Sequence, residues 1–403
     1  MRPSCLVFGL ALAIANPALA GSSLCVETWG TDNPACGASA TPCATIGQAV
    51  MNAAPNNTII VGPGRYPGDI DLDKEKLKLE STAGARATVL VGGTNEVVLI
   101  SADQVRFGKE RKGFTVTASS SAGVRVSGGA DGVNIAGIRA IENDGVGFNI
   151  RGTNHDLTAN EARDNGDGAG NDHGFLLDGS GHALEDNVST GNGASGFHNN
   201  SDGTTLTHNL ARGNDNGDGF NETGSETFST NSYRHNVADD NDGHGFFIGG
   251  HRVAFKGNIA TQNGGDGFRV LGLARSHVFE ENLAIGNAVT GFFEENGPRG
   301  VLKYVGNVAE GNGLDGYYIL TEDADGTSGV LFRKNSAYNN ARCGLVNDSG
   351  GVLTTFKTWW GTTVPQGVKP IMPGFEFCNG AFAITVPNPA TSPHPVKVKG
   401  GGL

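Results

Sequence analysis

Asn recurs at positions 160, 187, 209, 236, 258, 282, 307 and 335, and a second Asn follows each of them five residues later, at 165, 192, 214, 241, 263, 287, 312 and 340. Each second Asn leads through a Gly-rich turn into Gly and a large apolar residue: Phe175, Phe197, Phe220, Phe246, Phe268, Phe292, Tyr317 and Leu345. A degenerate earlier copy has Ile138 in place of the first Asn, then Asn143 and Phe148. A period of 22 to 28 residues marks a solenoid, because a unit this short buries its apolar face only by stacking on its neighbours.

Three solenoids compete. Helical repeats need apolar positions at a 3.6-residue period over segments of about ten residues, and Gly or Asn interrupts every segment here. Leucine-rich repeats need several leucines per unit, and these units have one or none. Short strands such as "TLTH", "LARG" and "GFNE", punctuated by Asn and Gly, leave the parallel β-helix. Asn and Gly tolerate the left-handed backbone that a sharp bend requires. Asn side chains stacked at the strand spacing can bond to one another up a ladder. The aromatic after Gly is expected to point inward and stack into a core column. Although Gly is abundant, with 64 residues, no Gly-X-Y period is present, which excludes collagen.

Over roughly residues 44 to 361 the chain resembles the right-handed parallel β-helix proteins of the pectate-lyase-like superfamily. The run "PCATIGQAVMNAAPNNTIIVGPGRYPGDI" resembles that family's N-terminal segment, with an amphipathic helix over Ala44 to Ala54 capping the open end. "TWWG", Thr358 to Gly361, resembles a closing strand. The resemblance implies an all-β solenoid of about a dozen coils. The expected organisation is a secretory signal over 1–20, an N-terminal cap over 21–56, the β-helix over 57–361 and a C-terminal cap and tail over 362–403.

The first twenty residues, "MRPSCLVFGLALAIANPALA", have a basic start, an apolar middle and a small-residue ending, the pattern of a secretory signal. Nothing later has the run of about 18 apolar residues of a transmembrane helix. The chain is therefore expected to be secreted or periplasmic, where disulfides persist. One bridge is expected within Cys25, Cys36 and Cys43, taken as Cys36 with Cys43, and one joining Cys343 to Cys378. The partner of Cys25 is left open. The net charge of −12 disfavours nucleic acid and anionic membranes as partners. Oligomeric state is not legible.

In the enzymes of the resembling family, substrate lies along the strand that corresponds to the Gly-aromatic segment. Alternation puts the aromatic inside and its successor outside. The successors include His198, Phe247, Arg269, Phe293 and Tyr318. Two residues further along are Arg151, Asp178 and Glu295. Outward rings beside a cation suit a polysaccharide, whose apolar sugar faces stack on rings while Arg holds a carboxylate. Lyases and C5-epimerases remove a proton alpha to a uronate carboxylate, which needs that charge neutralised and a base nearby. His198, Arg269 and Tyr318 are the candidate catalytic groups, with Arg151, Asp178, Phe247, Phe293 and Glu295 as substrate contacts. The longest interruption of the pattern, from Asn165 to Phe175, points to a site between that insertion and His198.

Stacked corners also carry acid, and Asp164, Asp167, Asp218 and Asp266 are the candidate ligands of a Ca²⁺ ion, which favours oxygen donors. "NDNGDGFNETGS" approaches an EF-hand loop but has Ser225 where the final Glu belongs. Asp172-His173 resembles part of the Asp-Pro-His-Asp signature of mannuronan C5-epimerases, without its Pro and second Asp. No Lys lies between residues 113 and 255 to serve as a pectate-lyase-type base. Three functions fit: a polysaccharide lyase or epimerase acting on a uronate glycan, a noncatalytic glycan-binding protein, and a structural or adhesive rod.

Overall fold

The computed structural model describes residues 22–166, 170, 172–224, 230–271, 276–295, 302–320 and 330–347, and the strands Leu353–Phe356, Ile371–Met372, Phe375–Glu376 and Ile384–Thr385. The chain divides into two compact units, Met1–Gly193 and Ala194–Leu403. Among the described residues no helix is long and apolar enough to cross a membrane.

In the first unit the strand Ser23–Val26 pairs in parallel with Thr58–Val61. Between them lies helix α1, Ile46–Asn52, shorter than the expected Ala44 to Ala54. It starts where the Thr45 side chain accepts the Gln48 N–H, satisfying a donor that has no partner within the helix. Asp32 fixes that corner by accepting the N–H groups of Ala44 and Thr45 at 2.8 and 3.0 Å. Ile46, Ala49 and Val50 form its buried stripe. Cys36 and Cys43 form the expected disulfide, and Cys25 is a buried thiol. Cys343 is buried and disulfide-bonded; its expected pairing with Cys378 lies outside the described residues.

Beyond this segment both units are all-β, with three parallel strands per coil. In the first unit one sheet runs Lys78–Ser81, Arg106–Gly108, Asn134–Ala136, Asp156–Thr158 and Ala183–Glu185. In the second, the sheet that carries the Gly-aromatic segments runs Phe197–Asn199, Phe220–Glu222, Phe246–Ile248, Phe268–Val270, Phe292–Glu294, Asp315–Ile319 and Cys343–Asn347. The architecture is a parallel β-helix, with one minor helix among the described residues.

The core is built of columns. Phe220, Phe246, Phe268, Phe292 and Tyr317 stack with centroids 4.7–4.9 Å apart and planes within 3–8° of parallel. A second column, Tyr233, Phe255, Phe279 and Tyr304, meets the first edge-on, the arrangement that ring quadrupoles favour. A third holds Ala238, Ala260, Ala284 and Ala309, all fully buried. Gly before the aromatic is a matter of space. A Cβ on Gly267 would lie 2.6 Å from the Gly291 carbonyl oxygen and 2.9 Å from the Ala284 methyl.

The Asn residues form two buried ladders. In the second unit the side-chain amide of each donates to the side-chain oxygen of the next: Asn209, Asn236, Asn258, Asn282, Asn307 and Asn335 at 3.0–3.1 Å, and Asn214, Asn241, Asn263, Asn287, Asn312 and Asn340 at 2.8–3.0 Å. The first unit does the same between Asn160 and Asn187, and through Asn143, Asn165 and Asn192.

One expectation is corrected here. The left-handed residue at each bend is the one before the Asn. Ala159, Asp164, His235, Asp240, Gln262, Glu281 and Lys334 have φ between 53° and 57°, and Gly stands at the equivalent positions 257, 286, 306 and 311. The Asn keeps its side chain inward for the ladder, so its neighbour takes the bend and bears the strain of a left-handed L-residue.

Candidate functional site

The Gly-aromatic strands alternate as expected. Phe246, Phe268 and Phe292 are buried, their successors half-buried, and the third residues buried again. The half-buried successors Asn221, Phe247, Arg269, Phe293 and Tyr318 therefore form one outward row, in register coil on coil. Phe293 and Tyr318 stack at 5.0 Å, and the Arg269 guanidinium lies 4.8 Å from the Phe293 ring centre. That placement joins a cation to the electron-rich face of a ring.

A second row flanks the first, at the turn residue before each Gly-aromatic pair: Ser195, Asp218, His244, Asp266, Thr290 and Asp315. Several of these side chains accept the backbone N–H of the next coil. Ser195 Oγ accepts from Asp218 at 3.2 Å, Asp218 Oδ1 from His244 at 2.7 Å, His244 Nδ1 from Asp266 at 2.8 Å, and Asp266 Oδ1 from Thr290 at 2.9 Å. With Nδ1 accepting, the neutral His244 ring carries its proton on Nε2. Among the described residues Nε2 has no partner. The ring stacks on Phe247 with centroids 5.8 Å apart and keeps 21% of its side-chain surface exposed. Burial, and then the charge of Arg269, hold His244 down to about 4, so it is neutral near pH 7. Burial pushes the carboxyls of Asp218 and Asp266 up.

Arg269 links the two rows. It donates to Asp266 Oδ2 at 3.3 Å and to Glu295 Oε2 at 2.8 Å. Arg342, nearly half exposed, forms a forked pair with the fully buried Asp315 and lies within electrostatic range of Tyr318. The second unit thus gathers Arg269, Phe293, Tyr318, Phe247 and Glu295 of the expected residues, with Asp218 and Asp266. His198 is half-buried on the same sheet, in register with Asn221, its Nε2 3.5 Å from Thr223 Oγ1. Arg151 and Asp178 belong to the first unit, where they stand in register and pair with each other at 3.5 Å. The cluster lies on the coils after His198, whereas the sequence pointed to the stretch between the Asn165 insertion and His198.

Of the expected calcium ligands, Asp167 lies outside the described residues. Asp164, in the first unit, is about half exposed and pairs with Arg163. Asp218 and Asp266 are ladder members. Both oxygens of each already accept hydrogen bonds, Asp218 from His244 N–H and Asn221, Asp266 from Thr290 N–H and Arg269. A cation there would share those oxygens with the ladder bonds they already accept. Among the described residues the one group of close potential ligand atoms is Asp32, Cys36 and Cys43, whose sulfurs are joined in the disulfide.

Sequence reasoning missed His244 and Arg342. Reading the residue before each Gly-aromatic pair down the repeats, Ser, Asp, His, Asp, Thr, Asp, would have exposed the flanking row.

Residues 172–327 match the family described as "Right handed beta helix region". The mannuronan C-5 epimerase AlgE4 A-module of Azotobacter vinelandii is similar over 83% of this chain and 91% of its own, at 18% identity and a TM-score of 0.50. The AlgE6 A-module of the same organism is similar over 86% and 93%, at 18% identity and 0.50. The pectate lyase Pel9A has 15% identity, coverage of 93% and 80%, and a TM-score of 0.45. At this identity the likeness to the two epimerase modules shows the fold alone. No curated protein matches the sequence.

Proposed function

We propose that this chain, a right-handed parallel β-helix repeat protein, is an exported carbohydrate-active protein that acts on uronate residues of an acidic polysaccharide as a lyase or C5-epimerase. The observation that carries the reading is the pair of donors on adjacent coils, the unpartnered His244 Nε2–H and the Arg269 guanidinium, beside the stacked Phe293 and Tyr318. A sugar unit set against the outward edges of Phe293 and Tyr318, whose facing sides are taken by each other and by Arg269, brings its carboxylate to Arg269, where it displaces the partly exposed Glu295. The guanidinium offers a forked donor to that carboxylate. His244 adds a neutral donor to the oxygen on which negative charge gathers as the alpha proton leaves. Tyr318, stacked on Phe293 and within electrostatic range of Arg342, is the group assigned here to move that proton, with the released Glu295 close to Arg269 as a second carboxylate. Export agrees with the N-terminal pattern and the Cys36–Cys43 disulfide.

A second reading, noncatalytic glycan binding, has its own support: Ser195, Asp218, His244 and Asp266 all make the same ladder bond, a structural duty. Tyr318→Phe separates the two. For an enzyme, turnover of the polyuronate falls about a hundredfold or more while retention on the polymer changes little. A binding protein shows no turnover in either form and retains the polymer in both.

A further inference from the structure

Lys78 and Arg106 are register partners on adjacent coils of the first unit. Like charges directly opposite across a strand pair repel. Two other cations of this unit face an acid in register: Arg139 faces Glu161 at 2.6 Å, and Arg151 faces Asp178 at 3.5 Å. Among the described residues, neither Lys78 nor Arg106 has a carboxylate within 4 Å. The row continues through Asn134 to Asp156, so the nearest in-register acid stands two coils beyond Arg106. Around the pair runs a polar groove of about 390 Å³, lined also by Asn56, Lys76, Gln104, Asn134 and the carboxylate of Asp156. Lys76 is half exposed and paired with its chain neighbour Glu75, a contact that an incoming anion can displace at small cost.

We infer that this groove is a second binding site, on the first unit, for a carboxylate of the same uronate polymer; the inference rests on the uronate reading above. One carboxylate set between Lys78 and Arg106 gives each an oxygen and removes their mutual repulsion. The side-chain amides of Gln104 and Asn134 donate and accept, as ring hydroxyls require. Asp156 closes one end of the row to anions. In a chain of net charge −12, a local pair of unanswered cations is where an acidic polymer finds least opposition.

The test is affinity electrophoresis and calorimetry of the full chain at low salt, with polygalacturonate and alginate as probes and inorganic sulfate as the control anion. Lys78→Ala with Arg106→Ala is expected to weaken retention about tenfold or more. Both side chains reach solvent, so the fold should survive the change. Arg106→Glu guards against mere damage: it sets an acid opposite Lys78, so binding should fall while the thermal midpoint does not. If the double variant binds like the unaltered protein while Arg269→Ala does not, this inference fails and the function stands. If the unaltered protein binds neither polymer, both fail. Saturable sulfate binding at Lys78 and Arg106 without polymer retention overturns the uronate assignment.

Discussion

Three histidines accept a backbone N–H through Nδ1, and what differs is the other nitrogen. In the first unit His155 and His182 stack at 5.0 Å and direct Nε2 to the carbonyls of Arg151 and Asp178 at 2.8 and 3.2 Å. Their rings are fully used by the fold. In the second unit His244 has the same Nδ1 duty but a vacant, partly exposed Nε2, and on that difference its chemical role rests. A residue-scale prediction comes from Glu294. It is fully buried, with Oε2 accepting from Tyr304 at 3.2 Å and Oε1 without a hydrogen bond. Burial pushes its carboxyl up to about 8 from an ordinary 4.5. A raised folded value means that the native state holds a proton which the unfolded chain has lost. Its contribution to stability is therefore complete below about pH 4.5 and drains away as pH rises through about 8. Glu294→Gln cannot ionise, so it should gain stability relative to the unaltered protein between pH 5 and 9, on the order of a few kcal/mol. Urea denaturation at several pH values checks this, and parallel stability curves would refute it. Neither Glu294 nor His244 was legible as special from sequence. A Glu two residues after Phe292 reads as one more inward position, and its missing partner is visible only in three dimensions.

At the scale of the coil, the ladder and the ring column were legible because period and spacing are properties of the chain itself. Two Asn residues five apart must fall at successive corners, and Gly-aromatic pairs must stack. The bends were read less well, since a left-handed residue can be Gly, Ala, Glu or Lys, and no residue type announces it. The site was legible in part: alternation along a strand gave Phe247, Arg269, Phe293 and Tyr318. The flanking row sits at a fixed offset from the Gly-aromatic pair and gave Asp218 and Asp266, but its mixed residue types, Ser, Asp, His, Asp, Thr and Asp, hid the hydrogen-bonding duty that several of them share. The ladder carries a prediction. Asn263 accepts from the Asn241 amide and main chain at 2.9 and 3.1 Å and donates to Asn287 and to the Ala238 carbonyl at 2.9 and 3.1 Å. Asn263→Ala leaves several buried groups unpaired and should cost about 3–5 kcal/mol. Asp215→Ala, at an exposed turn position two coils earlier, should stay within about 0.5 kcal/mol. A loss below about 1 kcal/mol for Asn263→Ala would show that the ladder is ornamental rather than structural.

For the whole molecule, the net charge of −12 and an acidic substrate oppose one another. The protein answers locally, with Arg269 set against a ring in the second unit and the Lys78–Arg106 pair left without acids in the first. Long-range repulsion between the chain and a polyuronate is screened over about 10 Å in ordinary salt, so close contacts decide binding. The fold alone decides nothing about chemistry, since the same solenoid serves enzymes, binders and scaffolds.

The central claim is that the outward row around Arg269 works on uronate residues. It is tested most directly by incubating the full chain, and Arg269→Ala, with polygalacturonate and alginate. Absorbance near 235 nm reports unsaturated products, and NMR of the residual polymer reports inversion at C5. The account predicts one of these two signals from the unaltered protein and its loss, with weaker retention on the polymer, in Arg269→Ala. A product signal that Arg269→Ala leaves intact would contradict it, as would the absence of both turnover and retention.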